Sequence, residues 1–178
     1  FSAMLISGLL GTALGVAAGY FGGRVDIVIT FIITTRLAMP VILVALVVVA
    51  LIGSPLTGVI WLLGLLSWER FAVVMRLATQ QARSMDYVAA AKALGCSTFR
   101  IVLTEIMPNV ANALIVVATL EGAHAIFLEA SLSFLGLGVQ PPTPSWGLMV
   151  SEGKGMMCFK PWVIAIPGTA LFMLMLCI

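Results

Sequence analysis

The sequence predicts an all-α fold, a polytopic transmembrane helix bundle with about five membrane helices, on three observations. First, 62% of the 178 residues are apolar and only 9% charged, where a soluble domain carries roughly 45–50% and about 25%. So little charge does not cover a water-facing surface, and most of the surface must face lipid. Second, the apolar residues fall into stretches near the ~20 residues that a helix needs to cross a bilayer. Third, the basic residues gather between those stretches, and the net charge of +2 is too small to attract nucleic acid.

Residues 2–21 form a first span rich in small side chains. Gly11, Gly15 and Gly19 recur every four positions, which lets another helix approach closely, although such spacing is common in any glycine-rich membrane helix. Residues 22–26 read as a tight polar turn. A second span, 27–52, contains two irregularities, Arg36 and Pro40, and 53–57 is a short uncharged turn. The third span, about 58–74, is interrupted by Glu69 and Arg70, and Arg76, Gln80, Gln81, Arg83 and Asp86 mark its exit into water. A mainly polar segment, 78–108, follows. The fourth span, 110–128, carries Glu121, His124 and Glu129 near its far end, and 131–160 is a loop rich in Gly and Pro. The last span, 162–178, is interrupted by Pro167 and Gly168. Both chain ends lie inside apolar runs, so 1–178 reads as a single transmembrane domain truncated at both ends.

Basic residues bias loops toward the cytoplasm. Arg76, Arg83, Lys92 and Arg100 place 78–108 inside; crossing parity puts Arg24 on the same side and the 131–160 loop, with Lys154 and Lys160, outside. On that topology Cys96 and Cys158 stand on opposite sides of the membrane and cannot pair, and Cys177 lies within a membrane helix. None has the spacing of a metal site, and each reads as a buried or incidental thiol. In the outer loop Gly136 and Gly138 permit tight turns, Pro141, Pro142 and Pro144 stiffen the chain, and Trp146 is an interfacial anchor.

Within 78–108, residues 86–95 read as a short helix. Asp86 caps it or flanks its positive end, alanines fill the middle, and Gly95 ends it in a left-handed turn. Ser97 or Thr98 caps a second helix whose apolar face is Phe99, Val102, Leu103 and Ile106, ahead of Pro108. The small side chains of the first helix suit insertion into a groove of a soluble partner. A connecting loop lying flat at the interface is the alternative.

At this point the residues resemble a family. Ala89-Ala90-Ala91, then Gly95, then Pro108 resemble the cytoplasmic EAA loop of permease subunits of ABC importers. Tyr87-Val88-Ala89-Ala90-Ala91-Lys92-Ala93-Leu94-Gly95, Ile106-Met107-Pro108-Asn109 and the run 129–147 are similar to the dipeptide/oligopeptide/nickel branch, as is 18–23. The resemblance implies a type I importer permease. Two such subunits, usually different, form the solute pathway, two cytoplasmic ATPases drive it, and an extracytoplasmic binding protein delivers the solute. It also implies that ATP is bound by the ATPase and that this chain has no cofactor, metal or enzymatic role; the sequence has no GxxxxGK[ST] phosphate loop. The implied coupling residues are Tyr87, Ala89, Ala90, Ala91, Leu94, Gly95 and Pro108. Ala89 departs from the family's Glu and so loses either a charged contact with the ATPase or a helix-start charge worth about 0.3–1 kcal/mol, which Asp86 is placed to compensate, whereas Met107 replaces the usual Leu at similar volume.

Ionisable groups at membrane depth need partners or water. Arg36 either lines the pathway, facing solute or a carboxylate such as Glu121, or belongs to an internal ion pair. Glu69 and Arg70 are adjacent and point to different sides of a helix. Glu121 and His124, three apart, share a face as a hydrogen-bonded pair or a weak metal pair, and Glu129 lies nearer the outer surface. An integral membrane enzyme built on Glu121, His124 and Glu129 lacks a nucleophile and base, and a channel lacks a filter motif. The expectation is a multi-pass permease subunit of the cell inner membrane that imports peptides, with nickel chelates or glutathione as alternative solutes.

Overall fold

The computed structural model describes residues 2–52, 56–136, 138, 144–157 and 159–178. Among them all regular structure is helical: α1 (Ser2–Phe21), α2 (Gly23–Leu37), α3 (Val41–Ile52), α4 (Leu56–Leu66), α5 (Trp68–Arg83), α6 (Asp86–Ala93), α7 (Thr98–Arg100), a π-helical stretch (Ile101–Ile106), α8 (Met107–Phe134), α9 (Trp146–Gly153), a 3-10 turn (Lys154–Met156) and α10 (Trp162–Cys177). From α7 through α8 the helix is one rod of 37 residues, Thr98–Phe134. The expected turn at Gly53, Ser54 and Pro55, the prolines Pro141 and Pro142, and Cys158 lie outside the described residues.

The turn after α1 shrinks to Gly22, at φ 64°, and Arg24 and Asp26 already belong to the first turn of α2. The second expected span breaks at Ala38, Met39 and Pro40, because Pro40 has no N–H to donate and drives the preceding residue out of helical geometry. The third breaks at Ser67 rather than at Glu69 and Arg70, which sit in the first turn of α5, where a carboxylate meets the positive helix end. Pro167 does not interrupt α10 but is buried inside it; membrane helices tolerate proline where neighbouring groups re-satisfy the freed carbonyl. The 131–160 loop is partly helical, since α8 runs on to Phe134 and α9 fills Trp146–Gly153. Among the described residues, α1 and the Thr98–Phe134 rod are each long and apolar enough to cross a membrane. The broken pair α2 and α3 makes a third if taken as one span, and α10 is a shorter apolar helix.

The helices group into two compact units. One comprises Leu5–Ala38 and Ser67–Thr119. In it α1 and α5 pack side by side: Val16 and Tyr20 meet Met75 and Ala82 in one cluster, and Ala18 meets Ala72, Ile29 and Ile33 in another. The second unit comprises Phe1–Met4, Met39–Leu66 and Leu120–Ile178, with Ala45 and Val49 of α3, Leu62, Leu63 and Leu66 of α4, and Leu128 and Leu132 of α8 as its core. Large apolar side chains such as Leu9, Ile27, Phe31, Ile115, Leu120 and Phe172 stay exposed on the helix surfaces, which suits a hydrocarbon surrounding and not water.

Candidate functional site

Only Ser84 and Met85 separate α5 from α6. Ser84 Oγ donates to the Gln81 carbonyl at 2.8 Å and closes the last turn of α5, and the extended Met85 (φ −80°, ψ 150°) starts α6. Asp86 occupies the first turn without capping it, so its charge acts on the positive helix end. At the other end the Cys96 N–H donates to the Ala91 carbonyl at 3.1 Å and the Gly95 N–H to the Lys92 carbonyl at 3.0 Å. This reverse turn requires a left-handed residue, and Gly95 at φ 77° supplies it. Ser97 Oγ accepts from the Arg100 N–H at 3.5 Å and starts the next helix.

α6 has two unlike faces. Val88 and Ala91 are buried among Val16, Tyr20, Met75, Ala82, Ile101 and Ile106, and Lys92 Nζ stands 5.4 Å from the centre of the Tyr20 ring, within cation–π range. Asp86, Ala89, Ala90, Ala93, Leu94 and Gly95 are exposed. Of the coupling residues implied by resemblance, Ala89, Ala90, Leu94 and Gly95 thus face outward, Tyr87 is half-buried, Ala91 belongs to the core, and Pro108 is exposed farther along the rod. Leu94 and Phe99 are 83% and 74% exposed, two large apolar groups beside a strip of small ones.

Phe99 and Leu103 do not share a buried face with Ile106 as the sequence predicts. Bonding from i to i+5 across Ile101–Ile106 brings residues five apart to one side, so Ile101 and Ile106 are both buried while Phe99 and Leu103 turn outward. Pro108 accounts for the wider turn: it offers no N–H to the Thr104 carbonyl, and its ring would press on that carbonyl in an α-helix.

α6 rests on the π-helical stretch Ile101–Ile106 and on α5, with α1 completing the cluster. A Cβ at Gly15 would lie 2.5 Å from the Ala72 carbonyl oxygen and one at Gly19 2.6 Å from that of Arg76; at Gly11 it would run into the Trp68 carbonyl. Both members of these contacts advance by four, so the two helices run parallel, backbone against backbone. The four-residue glycine spacing serves a contact within the chain. At one end of the pair Arg76 Nη2 donates to Asp26 Oδ2 at 2.7 Å, its Nε binds Oδ1, and Gln80 Nε2 donates to Oδ2 at 3.3 Å. Thr30 Oγ1 adds a donor at 3.3 Å. Asp26 and Arg76 lie 50 residues apart, and their one legible sign is that each is a charge at the edge of an apolar stretch.

The model of the binding-protein-dependent transport system inner membrane component family matches residues 11–178. The chain belongs to that family. This inner membrane component is 35% identical over 176 residues to the dipeptide transport system permease protein DppC of Haemophilus influenzae, covering 99% of this chain and 60% of the relative. It is 40% identical over 160 residues to DppC of Bacillus subtilis, covering 90% and 50%. It is also 35% identical over 173 residues to the glutathione transport system permease protein GsiD of Pectobacterium atrosepticum, covering 97% and 58%. The chain therefore spans 50–60% of the length of these curated relatives.

The polar residues that the sequence places in or beside apolar stretches divide between the two units. Arg36, half-buried in the last turn of α2, and Glu69, buried in α5 with the exposed Arg70 beside it, belong to one. Glu121, buried, and His124 and Glu129, half-buried, belong to the other. Glu129 accepts from Ser133 Oγ at 2.7 Å and Ser145 Oγ at 2.9 Å, and Ser151 Oγ donates to the Phe134 carbonyl at 2.9 Å. These bonds tie α9 to the end of α8.

Proposed function

We propose that the chain acts as a permease subunit of an ATP-driven peptide importer, with α6 as the coupling helix that a cytoplasmic ATPase receives. The observation that carries the reading is the two-faced build of α6: a small-residue face bare to solvent with Leu94 at its end, and an opposite face locked by Val88 and Ala91 onto α1 and α5. A push on the bare face is passed to membrane helices instead of being absorbed by a loop. In this reading 78–108 is cytoplasmic and 131–160 extracytoplasmic, an external binding protein delivers the solute, and a second, different permease subunit completes the pathway. ATP binding and hydrolysis belong to the ATPase, and the chain has no catalytic or cofactor role. Dipeptide permeases among the relatives support a peptide solute. The glutathione permeases favour a second reading within the same class, since glutathione is itself a tripeptide.

The test is Leu94→Asp in the full-length permease co-expressed with its ATPase. Because Leu94 points into solvent, the variant keeps its thermal stability, while co-purified ATPase falls at least tenfold and solute-stimulated hydrolysis is lost. Wild-type amounts of ATPase on Leu94→Asp and on Ala90→Arg would overturn the assignment.

A further inference from the structure

Phe127 and Phe134 of α8, Val150 of α9, and Leu171, Phe172 and Met175 of α10 wall an open apolar groove of about 480 Å³, inside the range of about 300–1,000 Å³ that holds small ligands. The Ser131 hydroxyl, also on its wall, is already committed to the Phe127 carbonyl at 2.8 Å. At the Phe134 end, Lys154 Nζ sits 3.7 Å from the centre of the Phe134 ring. Trp146 and Val150 of α9 and Lys154, the residue that follows its last turn, stand at intervals of four, so the line presents an aromatic, an apolar wall and a cation. Trp146 and, at the start of α10, Trp162 are both exposed, as aromatic residues are at the membrane interface. Glu152 is exposed on α9, two residues before Lys154 and so on another side of the helix.

We propose that this groove binds one anionic phospholipid, an acyl chain lying along Phe127, Phe172 and Met175 and the headgroup phosphate on Lys154. A peptide solute would need polar groups along the wall for its amides, which the groove does not offer. A packed partner helix would bury the same apolar wall, and the cross-linking measurement separates it from a lipid. The inference rests on family membership in the inner membrane and is independent of the role given to α6.

The full-length permease with its partner subunits is placed in nanodiscs of equal phosphatidylglycerol and phosphatidylcholine, and the lipid that survives extraction is identified by native mass spectrometry. One phosphatidylglycerol is expected on the wild type. Gly168 lines the groove, and a Cβ there meets nothing within 4 Å, so Gly168→Leu fills the space, abolishes retention and leaves the melting temperature unchanged. Lys154→Gln retains a lipid but loses about fivefold of the preference for phosphatidylglycerol. Equal retention by Gly168→Leu, an unchanged preference in Lys154→Gln, or efficient cross-linking of Phe172→Cys to the second permease subunit would each overturn the proposal.

Discussion

Gly15 shows how much one missing methyl group decides. Its Cα faces the Ala72 carbonyl so closely that any side chain must part α1 from α5, and those helices bury the residues that seat α6. Gly15→Leu is expected to destabilise the protein by about 1–3 kcal/mol or more, read as a lower melting temperature in detergent, together with loss of ATPase co-purification. Gly155→Ala is the control: a Cβ there meets open space, and its effect should stay within about 0.5 kcal/mol. Part of this scale is written in the sequence. Gly95 takes the left-handed conformation expected of it, at φ 77°, and Gly136, expected in a tight turn, stands at φ 78°, because turn chemistry is local. The glycine stripe is equally legible as a pattern, but its partner is not, since a four-residue spacing does not say whether the second helix comes from the same chain.

Elements, unlike single residues, are fixed by contacts distant in sequence. Asp26 ties the start of α2 to α5 through Arg76 and Gln80. Its side chain and that of Arg76 are only partly exposed, at 19% and 24%. An exposed pair is worth about 0–1 kcal/mol and breaking a buried one costs about 3–5, so Asp26→Ala should cost about 1–3 kcal/mol in thermal unfolding, and Asp26→Arg combined with Arg76→Asp should recover part of it. Recovery failing altogether would mean that the bond geometry, and not the charge pair, matters. The boundaries of α6 follow from its alanines and Gly95, and Ser97 caps as its type predicts. The outward turn of Phe99 does not follow, because a helical period of 3.6 assumes an α-helix and Pro108 imposes a wider turn one step earlier. α9 is likewise hidden by the glycines and prolines around it; its fastening by Ser145, Ser151 and Gly147 onto α8 is tertiary.

At the scale of the whole molecule, α1 and α5 running parallel fits the crossing parity read from the basic residues, and Arg76 and Asp26 meet at the end where Arg83 and Lys92 also lie. The proposed sidedness makes a direct prediction. In a cysteine-free background, Ala90→Cys should react with a membrane-impermeant maleimide in inside-out vesicles and Phe159→Cys, on the exposed Phe159, in right-side-out ones; the reverse pattern would invert the topology. The rod Thr98–Phe134 adds a vertical scale. At about 1.5 Å per residue its 37 residues measure about 55 Å, well beyond the roughly 30 Å of hydrocarbon in a bilayer. Arg100, Thr104, Glu105, Asn109 and Asn112 crowd into 98–112, while 113–134, which carries Glu121, His124 and Glu129, is alone long enough to fill the hydrocarbon. In the proposed topology the helix is its own depth gauge: lipid thickness and that polar collar together set how far the α6 end stands clear of the membrane, so a thinner or thicker bilayer would raise or lower it like a float on a fixed stem.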